Sequence, residues 1–358
     1  MTDTRARRVA VKHVGTVRAA RGPIHAMDGE RFLLHRRRSL EVHRRDTFLA
    51  VGAARPLSKV ELPPVTGGGV TPDGGFVLSG ELRVWCTAPD GTTRWELSDG
   101  IWPDGVRGDR VRGHVTVSPD GSLAAVVKST LVTDPSLPAA RVFDGSPERR
   151  YGPDTLLLLD TGTGEVLGRQ PLDVPALLTA GHVWQPDGAR LAVSCWDFWD
   201  SWITYWLTAG GDGLRMLGRT TMEEAAAFVP GSARLLTMRR AEGFGGSREA
   251  NELASYDTDT SERLAVHDFG DLLAGWGDPS RTDAYLLDAE RLILSVNPRD
   301  GAMDGRSRHW LCDADTLRPL GLLDYSVHPG AGRAVTPLED GTWLTRRGGR
   351  RVDRWALA

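Results

Sequence analysis

A turn signal, Pro-Asp-Gly between alternating apolar segments, recurs along this chain and constrains its fold more than any other feature. It stands in three similar segments, GGGVTPDGGFVLSG (67–80), GHVTVSPDGSLAAVV (113–127) and GHVWQPDGARLAVS (181–194). Proline presets φ, aspartate caps the turn and glycine accepts positive φ, so each copy predicts a strand, a tight turn and a second strand. The pattern therefore favours a fold built from antiparallel hairpins.

A second hairpin follows each copy and completes a unit of four strands. It consists of an apolar segment, a polar Gly/Asp turn and another apolar segment, at residues 81–98, 155–172 and 201–218. Weaker copies extend the series through residues 22–54, 224–269 and 283–324, and residues 332–358 supply a last unit of three strands. This repeat of about 51 residues predicts seven units in the 358-residue chain.

The missing strand of the last unit is available at the N-terminus. Residues 7–18 show the alternation of side chains that is typical of a strand, and they precede the first complete unit. They can therefore complete the last unit and close a ring. A closed ring of antiparallel units removes exposed sheet edges and describes a β-propeller. We predict an all-β single domain over residues 1–358 with seven four-stranded antiparallel blades, the N-terminal strand closing the last; six or eight blades fit the repeat less well. Helical patterns are confined to residues 221–228 and 268–276.

Composition excludes several other classes of protein. Apolar residues make up 40% and charged residues 25% of the chain, and no apolar run is long enough to span a membrane, so we expect a soluble protein without a membrane partner. The net charge of -3 predicts no general attraction to nucleic acid. Cys86, Cys195 and Cys312 are far apart and predict buried thiols rather than disulfides. Because the N-terminus has no secretory signal pattern, we expect a cytoplasmic protein. We also expect it to be a monomer.

The repeat resembles that of a known superfamily. Bacterial TolB-type and WD-repeat-like propellers have an S-P-D-G-x-x-[IL]-A pattern that is similar to three segments of this chain, SPDGSLAAVV, TPDGGFVLSG and QPDGARLAVS. The segment LLLLDTGTGEVLGRQPL resembles the other half of the same repeat. The resemblance spans the whole chain at the level of blades and implies the propeller fold. Because such families include scaffolds, lyases and cofactor enzymes, it implies no particular activity and transfers no catalytic residue.

One face of the predicted ring concentrates the residues outside the repeat. In a four-stranded blade, the loop after the second strand lies on the same face as the links between blades. These loops are long at residues 129–154, 241–250 and 298–307, so we predict that function lies on this long-loop face. The insertion 129–154 is interpreted either as a lid over the ring axis or as a disordered segment.

Aromatic residues form the sharpest feature of that face, in CWDFWDSW (195–202). They predict a surface that stacks a flat ligand or a cation, or that anchors a protein partner, and the candidate ligand-binding residues are Trp196, Phe198, Trp199 and Trp202. The alternative is that these rings pack over the blade edges as a local core.

Two arginine-rich loops become neighbours if the ring closes as predicted. Arg36–Arg38 follow the second strand of the first unit, and Arg346, Arg347, Arg350 and Arg351 occupy the equivalent loop of the seventh. They predict a cationic patch for phosphate, a carboxylate-bearing metabolite or an acidic partner, with Arg37, Arg347 and Arg350 as candidate binding residues. The alternative is a set of solvated arginines paired with carboxylates. Nucleic acid fits less well, because the cluster lacks a stacking platform.

Catalytic groups are harder to find in this sequence. His114 and His309 are weak candidates for a base, with Asp109 as a partner. The motifs of metal hydrolases, thiol enzymes, serine hydrolases and phosphate-binding loops are absent, so we predict no cofactor and no metal. The favoured function is a propeller that binds a protein partner or small ligand on the long-loop face. The alternative is a cofactor-independent lyase or isomerase/cyclase that acts on a small, largely apolar metabolite in an aromatic pocket near the ring axis.

Overall fold

The computed structural model describes part of the chain. The described residues are 7–18, 24–27, 30–36, 39–53, 55–61, 67–79, 83–97, 114–132, 141–142, 150–173, 179–196, 202–239, 252–273, 279–298, 307–325, 335–338, 340–347 and 350–358. Strands make up 67% of the structure and helices 4%, so the fold is all-β as predicted.

The elements run in chain order as follows. The first third holds β1 (Arg8–Arg18), β2 (Ile24–Ala26), β3 (Arg31–Arg36), β4 (Ser39–Arg44), α1 (Arg45–Val51), β5 (Ser58–Glu61), β6 (Gly67–Val70), β7 (Phe76–Ser79), β8 (Val84–Thr87) and β9 (Thr93–Leu97). The middle holds β10 (His114–Val117), β11 (Leu123–Val132), β12 (Arg141–Val142), β13 (Arg150–Asp160), β14 (Val166–Pro171), β15 (Thr179–Trp184), β16 (Arg190–Trp196), β17 (Trp202–Gly210) and β18 (Gly213–Thr221). The last part holds β19 (Glu223–Phe228), β20 (Arg234–Arg239), β21 (Glu252–Asp257), β22 (Arg263–Asp268), α2 (Gly270–Leu273), β23 (Pro279–Leu286), β24 (Arg291–Pro298), β25 (Arg308–Asp313), β26 (Pro319–Asp324), β27 (Val335–Pro337), β28 (Trp343–Arg347) and β29 (Arg351–Leu357).

The strands pair into four-stranded antiparallel units. Strands β2–β5, β6–β9, β15–β18 and β19–β22 each form a sheet in chain order, and β10, β11, β13 and β14 form another, to which β12 adds. The remaining sheet has the order β23-β24-β25-β26-β1-β29-β28-β27 and so contains two units joined through β1. The described strands thus give seven units, numbered 1 to 7 from β2–β5 onward; a count of seven blades for the whole chain stays a prediction.

The N-terminal strand pairs with the last unit, as the sequence predicts. Strand β1 runs antiparallel to β29, with Thr16 opposite Asp353 and Arg18 opposite Arg351. It also runs parallel to β26, with Arg8 opposite Leu322, a pairing that the repeat does not predict. One strand therefore ties units 6 and 7 together.

Hydrophobic clusters fill the space between neighbouring units. Leu40 and Phe76 belong to the cluster between units 1 and 2, and similar clusters lie between each following pair. Between units 7 and 1, Leu344 packs with Phe32 and with Phe48 of α1. Each sheet is therefore buried on both faces, which explains strands of nearly continuous apolar residues.

The Pro-Asp-Gly segments form the tight turns that their residues predict. The glycines have positive φ, a conformation that L side chains rarely adopt: Gly74 (86°), Gly121 (78°) and Gly188 (77°). In the second copy, the Asp120 carboxylate accepts hydrogen bonds from the Ser118 hydroxyl at 2.6 Å and the Ser122 backbone N–H at 3.1 Å. The aspartate thus caps the turn while glycine supplies its backbone geometry.

Three local predictions differ from the structure. Residues 223–228 form β19 instead of a helix, since pairing with β20 overrides the helix propensity of alanine. The second strand expected within residues 39–54 is replaced by α1, whose Phe48 is buried between units 1 and 7, and the outer strand is β5. The insertion 129–154 is partly strand, because β11 continues to Val132 and β13 begins at Arg150.

The cysteine prediction is confirmed. Cys86, Cys195 and Cys312 are buried, free thiols. Burial raises the pKa of Cys86 to about 11 and that of Cys312 to about 12, so both are protonated at neutral pH. Within the described part of the chain, no helix is long and apolar enough to cross a membrane.

Candidate functional site

A cavity of about 460 Å³ lies where strands β2 to β4 of unit 1 meet the first strands of units 2 to 4. Glycines of β6 shape its wall. A Cβ on Gly68 would lie 2.6 Å from Leu40 Cδ1, and one on Gly69 would lie 2.5 Å from Val117 Cγ2. These contacts are shorter than any side chain tolerates, so glycine is what lets units 1 and 3 approach the β6 backbone beside the cavity.

Basic side chains line this cavity, which we name the channel cavity. They come from units 1 and 4 and are His25, Arg31, His35 and His182. The Arg31 Nη1 donates to the Pro72 carbonyl oxygen at 3.3 Å, so its guanidinium bridges unit 1 and the first turn of unit 2. The lining includes the turn residues Pro72, Pro119 and Gly121, which places the cavity toward the face opposite the long loops.

Two of the histidines that line the cavity have lowered pKa values. His25 is exposed to the cavity yet enclosed by surrounding protein, and this desolvation lowers its pKa, which the neighbouring His35 lowers further. Desolvation lowers the pKa of His35 as well. Both rings are therefore neutral at pH 7 and offer one N–H donor and one nitrogen acceptor each.

A second basic feature lies at the long-loop edge of unit 7. Arg18 of β1 stands directly opposite Arg351 of β29, which in turn stands opposite Arg347 of β28. Arg18, Arg350 and Arg351 are exposed, and among the described residues none of the three has an ion-pair partner. We call Arg18, Arg350 and Arg351 the arginine edge.

Comparisons with solved structures support the architecture. A chain of the mitotic checkpoint complex is 12% identical over 96% of this chain and 94% of its own length, with a TM-score of 0.57. BamB from Moraxella catarrhalis is 12% identical over 97% of this chain and 99% of its own, with a TM-score of 0.49. The checkpoint neighbour has the propeller architecture. This chain has a β-propeller fold.

Other comparisons add less. A chain from a study of two prolyl endopeptidases is 15% identical over 93% of this propeller, with a TM-score of 0.54, but the propeller spans only 47% of that chain. No protein-family model and no curated protein matches the sequence. At such low identity the likeness shows the fold alone.

Most of the predicted aromatic site lies outside the described residues. Phe198 and Trp199 are outside them, as is the Trp196 side chain. The backbone of Trp196 pairs with that of Trp202 at the start of the β16–β17 hairpin, and the Trp202 side chain is half-buried. The structure thus brings these two tryptophans to the long-loop end of one blade, and their role in binding stays a prediction.

The arginine prediction is only partly within the described structure. Arg37 and the Arg347 side chain lie outside it, while Arg350 is exposed. Arg36 is not an open cation, because its Nη2 lies 2.7 Å from Glu41 Oε2. Arg18 joins the edge instead, a residue that loop position alone does not reveal, since it comes from the opposite end of the chain.

The catalytic candidates do not form a described site. Asp109 and the His114 side chain lie outside the described residues. His309 is fully buried, and its Nδ1 lies 2.7 Å from the Tyr325 hydroxyl, which accepts a hydrogen bond from Trp343 Nε1 at 3.1 Å. These hydrogen bonds join units 6 and 7 in the interior and do not present the imidazole to a substrate. Among the described residues, no three His, Cys, Asp or Glu side chains are grouped to hold a metal ion.

Sequence reasoning missed the channel cavity. His25, Arg31 and His35 fall in ordinary strand positions of the first unit and carry no motif. The available signal is the run Gly67–Gly69, three glycines in succession on the first strand of a unit. A strand without side chains indicates that something else approaches its backbone.

Proposed function

We propose that this propeller is a scaffold without chemistry of its own, and that its long-loop face binds an acidic segment of a protein partner. The observation that carries the proposal is a row of two exposed arginines, Arg18 and Arg351, which stand opposite each other on adjacent strands at that face. The architecture supports the same conclusion at a coarser level, since the checkpoint neighbour is by its name part of a protein complex.

Charge repulsion explains why this row is informative. Like charges directly opposite each other on neighbouring strands destabilise a sheet, yet Arg18 faces Arg351 in register. The nearest carboxylate along β29 is Asp353, two residues away, and it accepts a hydrogen bond from Thr16 at 2.5 Å. The folded propeller therefore keeps unfavourable charges together, and an acidic partner would relieve their repulsion.

The spacing of the row favours an extended partner over a single anion. Neighbouring strands lie about 4.8 Å apart, and exposed Arg350 precedes Arg351 in the chain, so these cations cover more width than one carboxylate spans. Each guanidinium can hold one carboxylate through two parallel N–H···O hydrogen bonds. A segment with several Asp or Glu side chains matches this row. We propose that the scaffold acts as a cytoplasmic monomer.

The proposal is tested by removing the two described cations of the row. We expect Arg18→Gln with Arg351→Gln to weaken binding of a poly-glutamate peptide at least about tenfold and to flatten its salt dependence. The matched control is Arg55→Gln with Arg215→Gln, two exposed arginines elsewhere. Fluorescence anisotropy at two salt concentrations measures both effects. Equal affinity for the two double variants would contradict the proposal.

A further inference from the structure

The channel cavity is lined by ionisable groups of one charge type. Its ionisable lining groups are all basic, and among the described lining residues there is no aspartate or glutamate. Thr116 adds a hydroxyl group to the same wall, whereas the Ser118 hydroxyl there donates to Asp120. We infer that the channel cavity is a binding site for a small organic anion that bears a carboxylate or phosphate group.

The positions of the basic groups fit one ligand. His25 of β2 stands opposite Leu33 of β3, and His35 lies two residues further along β3, so the two histidines share one face of the sheet. Arg31 lies at the start of the same strand and the same alternation puts it on that face. One blade therefore presents a permanent cation and two imidazoles to the cavity, and His182 faces them from unit 4.

The neighbouring elements bring little negative charge to these groups. Strand β6 packs beside them with glycines and Val70. Of the carboxylates near the turns, Asp73 pairs with Arg94, and Asp120 accepts hydrogen bonds from two serine hydroxyls. Glu224 lies farther along the ring beside Gly181, with its Oε1 3.7 Å from the position of a Cβ there. An entering anion thus meets cationic or neutral donors on the unit 1 side.

The cavity has the size of a metabolite site. Its 460 Å³ falls within the range of about 300–1,000 Å³ that small-molecule pockets occupy. Apolar side chains of Met27, Leu33 and Leu40 complete the lining, so the organic part of the ligand also has a surface to contact. Inorganic ions alone would leave that surface unused.

Anion binding at these imidazoles depends on pH. Enclosure lowers the pKa of His25 and of His35 in the free protein, whereas a bound anion favours the protonated rings and raises both values. Binding therefore takes up protons, and affinity increases as pH falls. Above the pKa values of the bound state this gain disappears, and the guanidinium of Arg31 remains as the cation.

The experiment uses the whole protein and two probes, sulfate and succinate. Sulfate is fully ionised throughout the range, and the pair distinguishes a tetrahedral anion from a carboxylate. We expect saturable binding at millimolar or tighter affinity by calorimetry, at least about threefold tighter at about pH 6 than at about pH 8. Arg31→Gln should weaken binding about tenfold, whereas Arg31→Lys keeps part of it.

Histidine ring resonances locate the bound anion. On addition of either probe, those of His25 and His35 should shift, while that of His43, buried on the opposite face of the same blade and 3.2 Å from Glu41 Oε2, stays unchanged. His25→Gln with His35→Gln should remove the pH dependence and keep the affinity at about pH 8 within about twofold.

Two outcomes would overturn the inference. One is the absence of saturable binding by both probes up to about 20 mM. The other is binding that Arg31→Gln leaves unchanged and Arg18→Gln with Arg351→Gln removes, which would assign the anion to the arginine edge. The two proposals are thus separable, since Arg31→Gln changes only the channel cavity and Arg18→Gln with Arg351→Gln changes only the arginine edge.

Discussion

At the scale of single residues, Glu223 shows how one buried carboxylate can join a whole blade. It lies on β19 and is 6% exposed. It accepts hydrogen bonds from one side chain on each other strand of unit 5: Thr237 on β20, Tyr256 on β21 at 3.0 Å and Arg263 on β22 at 3.4 Å. Burial is the largest cause that raises the pKa of Tyr256, so its hydroxyl stays protonated and remains a donor.

Removal of this carboxylate should destabilise the propeller. Glu223→Ala leaves two buried hydroxyl groups without this acceptor and removes one of the two carboxylates beside the Arg263 guanidinium, which keeps Glu252, so we expect a loss of about 2–4 kcal/mol in the free energy of unfolding. Glu223→Gln keeps an acceptor oxygen and should lose less. Urea denaturation measures both, with exposed Glu262→Ala as the control. A Glu223→Ala loss no larger than that of the control would contradict this role.

At the scale of elements, β6 is held by close contact with both neighbouring units. Its glycines alternate in direction, so Gly68 meets Leu40 of unit 1 and Gly69 meets Val117 of unit 3. The strand is also one wall of the channel cavity. Its lack of side chains therefore fixes the distance between three blades as well as the shape of the cavity.

A single methyl group on this strand should force neighbouring blades apart. In Gly69→Ala, the added Cβ would lie 2.5–3.0 Å from side-chain and backbone atoms of Val117, and we expect destabilisation by about 1–3 kcal/mol. Gly210→Ala is the matched control, because a Cβ at that strand end would meet no atom within 4 Å. Thermal unfolding of the two variants gives the comparison. Equal melting temperatures would show that β6 can shift without cost.

At the scale of the whole molecule, several contacts close the ring. Strand β1 pairs with β29 and β26, and the His309–Tyr325–Trp343 hydrogen bonds join units 6 and 7 beneath it. On the other side, Phe48 of α1 packs between units 7 and 1, and Arg45 Nη2 lies 2.8 Å from Asp340 Oδ2. Closure therefore depends on chain segments from both ends of the sequence.

Deletion of residues 1–18 should open the ring. The edges of β29 and β26 lose their partner, and the hydrophobic clusters lose Val9, Val11 and Val17. We expect a loss of at least about 3 kcal/mol in stability and a tendency to associate through the exposed edges. Calorimetry and size-exclusion chromatography measure the two effects, and deletion of residues 1–6, before β1, is the control. An unchanged melting temperature after the longer deletion would contradict closure by β1.

The fold class and the turns are predictable from local patterns in the chain. Alternating apolar residues with a period of two define strands locally, and Pro-Asp-Gly defines the hairpins between them. The strand at residues 7–18 is predictable for the same reason, because its alternation is visible without knowledge of its partner. These features depend on neighbours in the chain, so a single sequence is sufficient to identify them.

Which residues meet across the ring depends on how the units pack together. Arg18 faces Arg351 because β1 adopts one register against β29, and a pattern of period two does not specify register. Likewise His25 of β2 and Arg31 and His35 of β3 line one cavity with His182 of β15, because the folded ring brings units 1 and 4 to the same space. Helix α1 replaces an expected strand because Phe48 fills the space between the first and last units, a space that exists only once the ring has closed.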